Sequence, residues 1–162
     1  MLKQLIVKRR IVQGFLAVSI YAAVSWLGLP LLYVIAGGAA LGLLFGKVFC
    51  RWICPIGFIV ELLFNRAGGD GAKMYNYHKL GCPIAWIGGL LNRSSVFSIQ
   101  HDPASCSSCG LCDKACYITS LNEKYSHFKP GKERPGSAYS CSRCLACVSS
   151  CPRDSLKYSL DI

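Results

Sequence analysis

The sequence predicts a membrane α-helical hairpin followed by a small α+β module held together by cysteine ligation. Three observations carry that prediction. From Ile11 to Gly46 no residue is charged, a run long enough for two short bilayer crossings. Basic side chains crowd both ends of it, with Lys3, Lys8, Arg9 and Arg10 before and Lys47 and Arg51 after. The last third of the chain then sets eight of its eleven cysteines at one duplicated spacing.

Composition narrows the classes of function. A chain of 162 residues has room for one or two small domains, and 52% hydrophobic against 16% charged residues is not the balance of an ordinary soluble one. The net charge of +10 lies mostly beside the apolar run, since eight basic groups meet six acidic ones from His101 onward. A basic excess there suits lipid headgroups and argues against a nucleic-acid partner. No glycine-rich phosphate loop and no acid–base pair is evident. A disulfide framework is opposed by the odd cysteine count and by the spacings.

Residues 11–27 read as a first apolar helix, ended by Gly28 and Pro30 because proline cannot continue a helix and pushes its predecessor extended. A second runs from about Leu31 to Phe49 and is rich in small residues, with Gly38 and Gly42 in G-x-x-x-G register. Small residues let helices approach closely in lipid, so this seam is expected to join the two halves of the hairpin or to dock on a partner subunit. The basic N-terminus stays inside, and the chain returns at Lys47 and Arg51. That puts everything after the hairpin on the cytoplasmic face of the inner membrane, where thiols stay reduced. Arg9–Arg10 is read as a cytoplasmic anchor rather than an export signal.

Three segments follow: 1–49 as basic lead and anchor, 50–100 as interfacial helices, and 101–162 as the cysteine-rich domain. Residues 50–66 are expected to form one amphipathic helix at the membrane surface. Cys82–Leu91 is too short to span and reads as an interfacial or buried helix. The polar insert between Tyr117 and Ser140 is expected to form a hairpin or a partner contact.

Cys106, Cys109, Cys112 and Cys116 stand at C-x2-C-x2-C-x3-C, and Cys141, Cys144, Cys147 and Cys151 repeat it before Pro152. This is the bacterial ferredoxin run for [4Fe–4S] clusters, in which the fourth cysteine ligates the other cluster. The module is therefore an α+β bacterial-type two-[4Fe–4S] ferredoxin. The expected ligands are Cys106, Cys109, Cys112 and Cys151 for the first cluster and Cys141, Cys144, Cys147 and Cys116 for the second. Zinc also uses paired C-x2-C units, but the third cysteine at the same step and the distant fourth favour clusters. Tyr117 stands where the run prescribes proline. Lys114 and Arg143 lie inside the ligand loops and are expected in solvent, as is His127. His101 reads as turn chemistry.

Cys50, Cys54 and Cys82 remain. Cys50–Cys54–Pro55 reads C-x3-C-P, and His78 with Cys82–Pro83 reads H-x3-C-P. Positions i and i+4 share a helix face, so each phrase offers two ligands to one point. Three readings stay open: an additional metal or cluster site, a redox thiol pair or quinone-site lining, and buried structural packing.

The stretch G-K-V-F-C-R-W-I-C-P-I-G, residues 46–57, with the two ferredoxin runs behind it, resembles the integral-membrane polyferredoxins. These include the quinol-linked membrane ferredoxin of periplasmic nitrate reductase systems and the membrane regulator of nitrous oxide reductase. A cytochrome oxidase assembly ferredoxin is a looser relative. Members usually have more membrane helices, and cysteine where this chain has His78. The resemblance implies an electron-transfer subunit in a redox complex, with single electrons passing through the two clusters between a quinone-linked or other redox partner and a partner oxidoreductase. Two alternatives stand beside it: an assembly or metal-reductase factor using Cys50, Cys54, His78 and Cys82, and a redox-sensing membrane regulator.

Overall fold

The structure is a computed structural model that describes residues 4, 6, 8–66 and 82–160. The uncharged run forms α1 (Arg9–Leu27) and α2 (Leu31–Phe45), parted at Gly28–Pro30. Short α3 (Phe49–Trp52) and then α4 (Pro55–Arg66) follow. The single helix expected over 50–66 is thus two, because Pro55 cannot donate into a continuing helix and forces a break at Ile53–Cys54. Helix α5 (Pro83–Leu91) leads into the cysteine-rich module. There β1 (Phe97–His101) pairs antiparallel with β2 (Leu156–Leu160), in the register Phe97↔Leu160 to His101↔Leu156. Between the strands lie α6 (Leu111–Ala115), α7 (Tyr117–Leu121), a 3-10 turn (Pro135–Ser137) and α8 (Ala146–Ser149).

Helix α1 is long and apolar enough to cross a membrane; α2 is apolar but shorter. The main packing partner of α1 is α4, and that of α2 is α5. The Gly38 and Gly42 positions of the small-residue seam accordingly face α5 and not α1. A Cβ on Gly38 would meet Ile84 Cγ2 at 2.9 Å, and one on Gly42 would meet Leu91 Cδ1 at 3.2 Å, so glycine lets α5 lie directly against α2.

The helical part turns large apolar side chains outward and buries polar ones among small and apolar neighbours. Phe15 is 75% exposed and Trp26 92%, with Ile11, Val18, Ile59 and Leu63 also outward. Gln13 and Glu61, at 0% and 4%, are buried between α1 and α4. Glu61 pairs with Arg9, and Arg10 and Arg51 each approach it at 3.6 Å. Buried charges need partners of this kind.

Several bonds tie this part to the module. The Trp52 indole donates to the Arg143 carbonyl (3.1 Å) and the Tyr158 hydroxyl to the Phe45 carbonyl (2.7 Å). Asn92, 3% exposed, is the central knot. Its Oδ1 accepts from the Lys47 N–H (2.8 Å), while its Nδ2 donates to the carbonyls of Ala138 (3.0 Å) and Cys141 (2.7 Å). Gly46 makes room for it: its φ is +70°, and a Cβ there would stand 2.6 Å from Asn92 Oδ1.

Candidate iron–sulfur sites

The duplicated spacing is duplicated in backbone shape. The second residue after the first cysteine is left-handed in both runs (Ser108 φ +52°, Arg143 φ +48°), as is the residue after the second cysteine (Gly110 φ +73°, Leu145 φ +59°). A helix then begins beside the third cysteine in each, α6 and α8. Such turns fold backbone N–H groups toward an anionic centre. The Ser108 N–H already points at Cys106 Sγ, 3.4 Å away.

Six of the eight thiols fall into two groups that cross between the runs. Cys116 lies within electrostatic reach of Cys144, and Cys147 within reach of Cys144, Cys141 and Cys116. Cys112 pairs in the same way with Cys151. Cys112, Cys147 and Cys151 share one hydrophobic core with Ile6, Ile99 and Leu156; Cys116 and Cys141 share a second with Ile118 and Ala138. Cys106 is half-buried and Cys109 exposed at the outer edge.

Burial pushes the Cys141 thiol up to about 12 and the Cys112 thiol up to about 11, and raises Cys116 and Cys147 as well. Loading these sites therefore releases protons. At Cys151 burial also acts upward, but the Ser155 hydroxyl (3.1 Å) and nearby backbone N–H groups outweigh it and hold the thiol low.

The donor set fits an anionic cluster. Among the described residues no three Cys, His, Asp or Glu side chains converge as a single-ion cage. Ligands on separate irons of one cube stand farther apart than ligands on one ion. Around the second group several buried donors have no hydrogen-bond partner: Ser142 Oγ, Arg143 Nη1, Arg9 Nη1 and Arg51 Nε. Arg143 faces Cys141 and Arg9 faces Cys144. Such orphans are expensive unless an acceptor occupies the site.

Two expectations about solvent exposure are overturned. Arg143 is fully buried, because Asn92 and Ser95 supply acceptors from a segment some fifty positions earlier. Lys114 is exposed, as expected. His127 is buried because Asp113 closes the insert over it, accepting from the Ser126 hydroxyl (2.7 Å) and the His127 N–H (2.9 Å). The insert is no hairpin but a loop with one parallel bridge, Tyr125–Glu133. Tyr117, in the place of proline, staples the two runs, donating to the Ser140 carbonyl and accepting from the Ser142 N–H (3.2 Å). His101 ends β1 instead of sitting in a turn.

Burial lowers the His127 imidazole to about 4, with nearby His101 lowering it further and Asp113 opposing. The native state thus excludes a proton that the unfolded chain binds below about pH 6.5. Stability from this site is full above that pH and is lost as pH falls toward 4. Urea titrations should show that slope, and His127→Asn should flatten it.

Cys50, Cys54 and Cys82 also come together, each within electrostatic reach of the others. Cys54 stands directly before α4, and Cys82 caps α5, each followed by proline as the first helical residue. Burial, then Cys54, pushes the Cys50 thiol up to about 12 against the opposing Lys47 ammonium. Lys47, itself buried, lies within reach of Cys50, Cys141 and Cys82. His78 lies outside the described residues. Gly57 permits the turn, since a Cβ there would stand 2.2 Å from the Cys50 carbonyl oxygen. Gly57→Ala should therefore destabilise by about 2 kcal/mol or more, read as a lowered thermal midpoint.

Asn92, Lys47 and Tyr117 are the contributors that sequence reading missed. Only the tyrosine left a signal, as a departure from the expected proline.

Two family models match. Residues 18–70 match a 4Fe-4S binding domain, which takes in Cys50 and Cys54, and residues 105–156 match a 4Fe-4S dicluster domain. An uncharacterized protein of Methanocaldococcus jannaschii is 22% identical over 170 aligned positions, covering 70% of this chain. The chain spans 65% of that relative's length. No solved structure matches. Two matched 4Fe-4S domains, with paired cysteine groups in duplicated cradles, make this an iron–sulfur protein with ferredoxin-type domains that carries two [4Fe–4S] clusters.

Proposed function

We propose that the chain is a membrane-anchored electron-transfer subunit of a larger redox complex, with its ferredoxin module on the cytoplasmic face of the inner membrane. The observation that carries this reading is the apolar outer face of the helical part, with Phe15, Val18, Trp26 and Ile59 outside and Glu61 and Gln13 inside, next to the eight-cysteine module. Large apolar side chains facing outward are stable against lipid, and ionisable groups near lipid turn inward and pair. The α1–α2 segment acts as the hairpin, with Arg9, Arg10 and Arg51 at its basic end.

Cys106, Cys109, Cys112 and Cys151 hold the first cluster, and Cys116, Cys141, Cys144 and Cys147 the second. When bound, each cluster supplies one-electron chemistry at a potential set by charge and exposure. The chain's own residues keep water from the second site, orient its thiols and supply compensating charge. Donor and acceptor are other subunits of the complex, one of them linked to the quinone pool.

The mutual proximity of Cys50, Cys54 and Cys82, each within electrostatic reach of the others, supports a second reading, in which those thiols, with His78, handle a metal ion or a disulfide using cluster electrons. Cys54→Ser with Cys82→Ser separates the two. Electron transfer through the complex should persist under the first reading, whereas maturation alone should fail under the second. Membrane residence is tested by carbonate extraction of cells expressing the full chain. The iron–sulfur absorbance should stay with the membranes; a fully soluble two-cluster protein would contradict the anchor.

A further inference from the structure

The two thiol groups stand in opposite electrostatic surroundings. The first is open to water at Cys109, and the Asp113 carboxylate lies within electrostatic reach of Cys112. The second is buried among cations: Arg143 faces Cys141, Arg9 faces Cys144, and Lys47 also reaches Cys141. Arg9 has a share in Glu61.

Arg143 is different. Its exposure is 0%, and its bonds go to neutral acceptors: the Asn92 carbonyl (2.8 Å), Ser95 Oγ (3.0 Å) and Asn92 Oδ1 (3.4 Å). Its Nη1 has no hydrogen-bond partner, and among the described residues no carboxylate lies within ion-pair distance. A guanidinium does not shed its proton, so a buried one demands an anion.

We propose that Arg143 is the counter-charge of the second cluster and holds it at a more positive potential than the first, so that an electron entering at the exposed end comes to rest at the buried one. The proposal rests on the ligand assignment above. Reduction adds one negative charge, which a fixed cation favours. Burial alone acts in the opposite direction, because it disfavours added charge. The same low dielectric strengthens the field of every nearby cation, and Arg143 is pinned where water cannot screen it. At the first group Asp113 opposes reduction, while the exposed Lys114 is screened. The favoured transfer moves one electron from the first cluster to the second, with no bond made or broken and no proton moved.

The test is an EPR-monitored redox titration of anaerobic full-length protein, wild type, Arg143→Gln and Arg143→Lys, after iron and sulfide assay. Fewer than two clusters in wild type contradicts the ligand assignment itself. With both present, two midpoints are expected, and the more negative signal should be the one broadened by a soluble dysprosium chelate. Arg143→Gln should lower only the upper midpoint, by at least tenfold in the one-electron equilibrium, about 59 mV. Arg143→Lys should restore most of it. An unmoved upper midpoint, or an equal shift of both, overturns the proposal. Where Arg143→Gln loses its clusters, the wild-type titration decides: dysprosium broadening of the more positive signal overturns the proposal.

Discussion

Cys144→Ser is expected to remove one cluster and, with it, the order of the second cysteine run. Cys144 is the thiol that Cys116, Cys141 and Cys147 all approach. Its loss leaves three ligands and a cavity lined by buried guanidinium groups with no anion to face. The module has a small core, so metal–thiolate bonds carry much of its folding free energy. The purified variant should contain about four irons instead of about eight, roughly half the visible absorbance, and a clearly lower thermal midpoint. Cys109→Ser should lose a cluster too but unfold less, because Cys109 is exposed and lies at the module's edge.

Asn92→Ala should be nearly as damaging without touching a ligand. The substitution strands the Lys47 N–H and the Ala138 and Cys141 carbonyls, all in the interior, and removes an acceptor from Arg143. Each buried group left unsatisfied costs about 1–3 kcal/mol, so a total of at least about 3 kcal/mol is expected. Because the Cys141 carbonyl is among them, the second cluster should be lost before the first during thermal unfolding. The measurement is the order in which two EPR signals disappear on heating. Simultaneous loss would mean that Asn92 supports the whole fold evenly.

The parts of this molecule legible in the sequence are those governed by local spacing. Ligand runs curl within a dozen residues, so Cys106 to Cys116 and Cys141 to Cys151 declare themselves, as does the uncharged run ending at Gly46. Pro55 also carried a readable break, although the amphipathic pattern over 50–66 masks it. What sequence spacing does not carry is contact across distance. The burial of Arg143 depends on Asn92 and Ser95, that of His127 on Asp113, and the glycine seam of α2 finds its partner in α5. Each of those residues looks like a surface or lipid-facing position until its distant neighbour is known. The grouping of Cys82 with Cys50 and Cys54, by contrast, was legible in the repeated x3-C-P phrase, and the fold brings the three within electrostatic reach.

The central claim, two clusters held by eight thiols in crossed groups, is tested most directly by iron and acid-labile sulfide assay on anaerobically purified wild type and on Cys151→Ser and Cys116→Ser. Wild type should carry about eight of each. Crossed ligation predicts that Cys151→Ser loses the EPR signal of the exposed cluster and Cys116→Ser that of the buried one. The reverse pairing, or a wild type with about four irons or with zinc in their place, would contradict it.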